Sequence, residues 1–390
     1  MDLQQIINAL ELETYPDCFE ALFADLKDGP ACDLALIEKA QQEYEAFGAF
    51  YDWVVEAAQQ INADPIYNAF VKIIHAYLCD PSRNFKDLPV PPLNGTPKRD
   101  GAMLMSLVPF IPASAATYIK GGFSQEETAG YLHAYGNCLN STKIRTGLVG
   151  LDRTYFLWLH RFAKAQIFRV HGIQFEFTKL NKNCTYLKHK QTGKIQPVMS
   201  GGTIHASGKM LVGAGGYEDA TGSFTGMLTE TEDSYITHAV YDCVAQPETS
   251  EFPKTEWEIF AQPGDNALSM HLPRGADIRE ENVRKACAAA YEIIGKSYPD
   301  YVGAPVYCSS WLLDPALESF IGPDSNIVRF GKLFVRYPSK SPGRAANGFV
   351  FPGKPVPDAE LPEDTRLQRA IKQHYLNGGY TYGIAGLLTI

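Results

Sequence analysis

His271, in the stretch LSMHL, and Cys308, which opens the run CSSW at residues 308–311, are the side chains of this sequence best suited to moving a proton or attacking a carbonyl. Strand alternation puts His271 on one face with Ser269 and opposite Met270. An imidazole there can take a proton from a reacting amine near neutral pH, or it can be a half-buried histidine bonded to a backbone carbonyl. A nucleophilic cysteine needs an imidazolium, a helix N-terminus or a cation beside it. Cys308 has apolar neighbours in sequence and shares a face with Val306 and Ser310, while Tyr307, Ser309 and Trp311 take the other. A buried strand thiol is the expected role, and a cysteine-dependent acyl hydrolase would require Cys308 and His271 to touch. Glu256 and Glu258, flanking Trp257, can orient His271, bind a cationic amine, or form a solvated strand edge.

These side chains need elements to hold them. Residues 267–272 read as a strand, and Val283, Ala286, Cys287, Ala290, Tyr291 and Ile294 recur with the period of one helix face. Residues 305–313 read as a second strand. Strand, helical crossover and strand make a right-handed βαβ unit with parallel strands. A short helix is expected from Asp314 or Pro315, then a further strand over 326–338, a Pro- and Gly-rich arm, and a last helix over 365–375.

The rest of the chain divides by period. Ile66, Ala69, Phe70, Ile73, Ile74 and Tyr77 form a helix face behind Asp64 and Pro65, a cap and a first helical residue. Ser124 and Glu127 spell a capping box ahead of Ala129, Leu132, Gly136 and Leu139. A Pro-rich connector occupies 87–101. Near Ile167 the period changes from helical to alternating, with Ile173, Phe175 and Phe177 interleaved with Gln174, Glu176 and Thr178. Between 185 and 245 short β-prone pieces are separated by Gly-rich turns; the run over 212–226 lacks the Lys-Ser/Thr of a phosphate-binding P-loop and reads as hairpin turns. The expected fold is α+β: a helical domain over 1–165, a mixed β-sheet domain with flanking helices over 166–345, and a C-terminal arm and helix over 346–390 that pack on the sheet domain.

With 390 residues, 45% of them hydrophobic, the chain can bury sizeable cores. A net charge of -9 without basic clusters argues against nucleic acid or an anionic membrane as partner and leaves small molecules or proteins. The absence of a basic leader or an apolar run of membrane-spanning length makes cytoplasmic the expected location. Eight scattered cysteines and nine histidines show no C-x-x-C or H-E-x-x-H, so neither a disulfide framework nor a metal is expected. The oligomeric state is not encoded in any pattern here.

Taken together, YIKGGFSQEET, IFRVHGIQFEF, LSMHLPRGADI, YCSSWLLDPAL, SNIVRF and NGGYTYG, in this order and spacing, resemble a bacterial family of acyltransferases. Its members combine an N-acyltransferase N-terminal helical domain with a GNAT-like C-terminal domain. The resemblance implies an acyl-CoA co-substrate, no permanently bound cofactor, and direct attack by an acceptor amine on the thioester. It also implies that two parallel strands splay apart, so that backbone at Met270 and Leu272 meets the pantetheine arm. The loop and helix start at Arg274, Gly275, Ala276 and Arg279 would then meet the pyrophosphate. On this reading His271 is the base, and Tyr307 or Ser310 supplies a hydroxyl near the departing thiolate. The chain departs from the usual Gln/Arg-x-x-Gly-x-Gly/Ala loop: PRGADIREEN has one Gly and a D-x-x-E capping pattern at Asp277 and Glu280, whose carboxylates would repel a pyrophosphate. That departure keeps open a non-catalytic binding module on the same fold.

Overall fold

The computed structural model describes residues 1–180, 183–273, 275–353 and 355–389. The chain forms two compact units, Met1–Ile167 and Phe168–Ile390.

The first unit is helical. Asp64 caps the helix Pro65–Cys79, its carboxylate accepting from Ile66 N at 3.0 Å, and Phe70, Ile73 and Ile74 are fully buried. The reciprocal Ser124–Glu127 box forms as the sequence predicts. The apolar stripe behind it nevertheless spans two helices, Gln125–Leu132 and Ala134–Thr146, broken at His133. Gly136 explains the break: its N–H donates to Ala46 O at 2.9 Å, and a Cβ there would stand 2.7 Å from Phe47 O. The Pro-rich connector is tied down by two buried charges. Arg99 donates to Pro92 O and Leu10 O, and Asp100 accepts from the backbone of Asn94 and Gly95, each at 2.8 Å. Pro97–Lys120 is long and apolar enough by length and composition to cross a membrane, contrary to the expectation that no such run exists; with 61% of its apolar window buried, it matches a core helix as well.

The second unit carries strands β1 (Ile167–Val170), β2 (Ile173–Lys179), β3 (Cys184–His189), β4 (Ile195–Met199), β5 (Thr203–Ile204), β6 (Phe224–Thr225), β7 (Leu228–Glu230) and β8 (Ser234–Tyr241). It continues with β9 (Val244–Ala245), β10 (Ser250–Pro253), β11 (Trp257–Ala261), β12 (Asn266–His271), β13 (Val306–Ser310), β14 (Phe334–Pro338) and β15 (Ile384–Leu388). One mixed sheet has the order β1-β2-β12-β13-β15-β14, in which β12 and β13 are parallel. Helix Glu280–Ser297 is the crossover between them and buries Val283, Ala286, Cys287, Ala290 and Ile294. A second, antiparallel sheet runs β10-β8-β4-β3-β11. Tyr186 and Met199 of that sheet share a core with Ala267, Tyr337, Ala385 and Leu387 of the first. The Gly-rich stretch 212–226 ends in β6, which closes a hairpin on β5.

Two expectations fail in the C-terminal region. Residues 326–338 are not one strand: Ser325 Oγ accepts from Ile327 N and caps a helix, Asn326–Gly331, and only Phe334–Pro338 is extended. Nor is the end of the chain an arm lying on the sheet. Its last strand, β15, inserts between β13 and β14 and pairs antiparallel with both.

Candidate active site

β12 pairs with β2 along its whole length, from Asn266↔Lys179 to His271↔Gln174, but with β13 only at Leu268↔Val306 and Ser269↔Tyr307. Past that point Met270 and His271 stay with β2, while Cys308, Ser309 and Ser310 stay with β15. The two parallel strands therefore part at Ser269 and Tyr307.

One face of the sheet at this gap is polar. Alternation aligns Gln174, Glu176 and Thr178 of β2 with Ser269 and His271 of β12 and Tyr307 of β13. His271 Nε2 lies 2.7 Å from Glu176 Oε2. A carboxylate only accepts, so Nε2 carries the proton and Nδ1 is the basic nitrogen of the neutral ring. The pair is largely sheltered, with side-chain exposures of 28% for His271 and 15% for Glu176. Burial raises the Tyr307 pKa, the nearby Ser269 and Thr178 hydroxyls lower it, and the Glu176 charge raises it, with a net rise that keeps the phenol protonated. An imidazole with its carboxylate and a protonated phenol thus stand on one face beside the parted strands.

The other proposed residues are placed differently. Ser310 faces away from Tyr307, and its Oγ accepts from Leu312 N at 3.2 Å to cap the turn Trp311–Leu313. Cys308 is also on the face opposite Tyr307, 1% exposed, and burial pushes its thiol up to about 12. The contact with His271 that a cysteine hydrolase requires is not made. Glu256 and Glu258 do not orient His271 either: Glu256 approaches His189 at 4.0 Å, and Glu258 is opposite Lys188 in the second sheet. Glu176 makes that contact with His271. The sequence displayed it as one polar tooth of IQFEFTK, but alternation gives the face and not the strand that will lie next to it.

Met270 is 2% exposed on the face away from His271, and Leu272 follows the strand end half-buried. Arg274 lies outside the described residues. Gly275 makes a turn at φ 80°, with open space where a Cβ would be, and Ala276 N donates to Pro273 O at 3.0 Å. The expected Asp277–Glu280 capping box does not form. Asp277 instead accepts from Arg279 N at 3.0 Å and from Arg279 Nε at 2.9 Å, and Arg279 holds its carboxyl down at about 2. The helix starts at Glu280 without a side-chain cap. Its two first-turn glutamates pair with Arg284 and Lys285. The acidic charge that argued against a bound anion is thus matched by cations, and the first N–H groups are not covered by a carboxylate.

Among the described residues no group of His, Cys, Asp and Glu could hold a metal. Clefts elsewhere, one lined by Ile321, Asp324, Ser325 and Arg366 and one by Gln60, Asp64 and Lys98, hold no histidine or cysteine.

Comparison with known proteins identifies the fold. The model of the GNAT-like C-terminal domain matches residues 167–388. No curated protein matches the sequence. Solved structures that share the fold include an acyltransferase mutant in complex with octanoyl-CoA (TM-score 0.66, 16% identity, 100% of both chains), an acyltransferase in complex with CoA and 10C-teicoplanin (0.66, 16%, 100% of this chain and 99% of that one), and an acyltransferase in complex with decanoyl-CoA and teicoplanin (0.65, 16%, 100% and 99%).

Proposed function

Because the chain belongs to the family defined by the GNAT-like C-terminal domain, we propose that it is an acyltransferase that moves an acyl group from a coenzyme A thioester to an amine. The observation that carries this reading is the parting of β12 from β13 directly beside the His271–Glu176 pair. The gap between the parted strands suits a pantetheine arm, and an uncapped helix start with Arg279 at its mouth suits a pyrophosphate. The solved acyltransferases of the same fold, crystallised with octanoyl- and decanoyl-CoA, support an acyl-CoA donor.

The chemistry follows from the side chains. His271 Nδ1 takes the proton that the amine loses on attacking the thioester carbonyl. Glu176 keeps the imidazole in the tautomer that allows this and steadies the positive charge it gains. Tyr307, kept protonated by burial, donates to the sulfur that departs. Attack is direct, which agrees with a Cys308 held as a neutral buried thiol on the other face.

The test is a thermal shift with coenzyme A and with octanoyl-CoA, followed by a turnover assay over a panel of amines. Ligand at 100 times its dissociation constant adds about 2.7 kcal/mol of stability. No shift with either compound overturns the donor assignment. A shift without turnover on any amine favours the binding module that the short pyrophosphate loop leaves open.

A further inference from the structure

Of the eight cysteines only Cys79 is exposed, and it stands in a cluster built for nucleophilic chemistry in the helical unit. Cys79 and His75 are one turn apart on helix Pro65–Cys79, with Sγ 3.5 Å from Nε2. The other ring nitrogen, Nδ1, lies 3.0 Å from Ser106 O. A carbonyl only accepts, so Nδ1 carries the proton, and Nε2 presents its lone pair to the thiol. Burial pulls the His75 pKa down, and the Lys164 charge adds to this, so the ring is neutral and available as a base. Nucleophile, base and orienting group are therefore in the order that activates a cysteine.

Lys164 completes the cluster. Its ammonium donates to Leu78 O at 2.8 Å, stands 3.8 Å from the Phe110 ring, and acts electrostatically on both Cys79 and His75. Cys79 ends its helix, where exposed carbonyls disfavour a negative sulfur; an ammonium on the adjacent carbonyl offsets that. The one neighbouring carboxylate in sequence, Asp80, is engaged by Ser82 and Arg83.

We propose that Cys79, with His75 as its base, is a second reactive site that takes up acyl groups from acyl thioesters. The choice of acyl thioesters as the electrophile rests on the acyl-CoA reading above; the activation of the thiol does not. As the Cys79 sulfur bonds to the thioester carbonyl carbon, its proton passes to His75 Nε2. The carbon–sulfur bond to the donor breaks, and the departing thiolate takes that proton. Thioester and thiol exchange partners, with nothing oxidised or reduced. The product is a full-length chain acylated on its helical unit.

The experiment incubates the full chain with octanoyl-CoA and, separately, with the octanoyl thioester of N-acetylcysteamine, which carries no nucleotide, and locates the label by intact mass and peptide mapping. One octanoyl group is expected on the Cys79 peptide, released by neutral hydroxylamine and absent from Cys79→Ser. His75→Asn, whose amide can still donate to Ser106 O, should slow labelling about 100-fold, and Lys164→Gln should slow it too; a circular dichroism spectrum identifies variants that remain folded. Label missing from Cys79, label appearing as fast on half-buried Cys18, or an unchanged rate in both folded variants overturns the proposal. Labelling by the small thioester alone, with the same dependence on His75, upholds Cys79 and counts against the coenzyme A reading.

Discussion

His271 and Glu176 are 95 residues apart in sequence and meet at 2.7 Å, and the proposed mechanism gives them different tasks. On that mechanism His271→Ala removes the base and should lower turnover about 100-fold while leaving the octanoyl-CoA dissociation constant within about twofold, because proton transfer acts in the transition state. Glu176→Ala should lower turnover as well, and Glu176→Gln, whose amide oxygen can still accept from Nε2, should recover part of it. Equal loss in both Glu176 variants would give the carboxylate charge, and not its orientation, the leading part. Cys308 provides the contrast. Its thiol, raised to about 12 by burial, should alkylate slowly with iodoacetamide at neutral pH. Cys308→Ala should keep full transferase activity and cost about 1 kcal/mol, a small packing loss. Fast alkylation of Cys308 with loss of activity would return it to the mechanism.

At the scale of elements, the site depends on a strand from the very end of the chain. β15 fills the place between β13 and β14, and so fixes the side of β13 that faces away from the gap. Gly386 is where the fit is tightest: a Cβ would stand 2.9 Å from Phe334 Cβ and 3.2 Å from Val335 O. Gly386→Ala should therefore lower stability by about 1–3 kcal/mol, as overpacking does. A denaturation midpoint at or above the parent's would show that β14 yields instead. A chain cut after Leu376 removes β15 and should leave the second unit unable to fold cooperatively, visible as loss of a sigmoidal unfolding transition for the sheet.

For the whole molecule, burial sets the response to alkali. The thiols of Cys32, Cys287 and Cys308 are each raised to about 12 by desolvation. In the unfolded chain thiols release their protons near pH 8.5, so above that value the unfolded state binds fewer protons than the folded one. The thiols' contribution should be constant below about pH 8, and stability should fall steadily from there toward about pH 12, measurable as a declining urea midpoint. A midpoint that holds through this range would mean that these thiols are already accessible in the folded state. The sequence by itself determined the helical first unit, the Asp64 and Ser124 caps, the crossover helix with its face of Val283 to Ile294, and the strands that carry His271 and Cys308, because those signals repeat within a dozen residues. Tertiary structure alone decided which polar face meets which. Glu176 became the partner of His271 through the register of β2 on β12; the Asp277 carboxylate turned to Arg279 instead of capping the helix. The last residues became an inner strand. Each of these is a choice between partners distant in the chain or equal in local propensity, and only packing separates their energies.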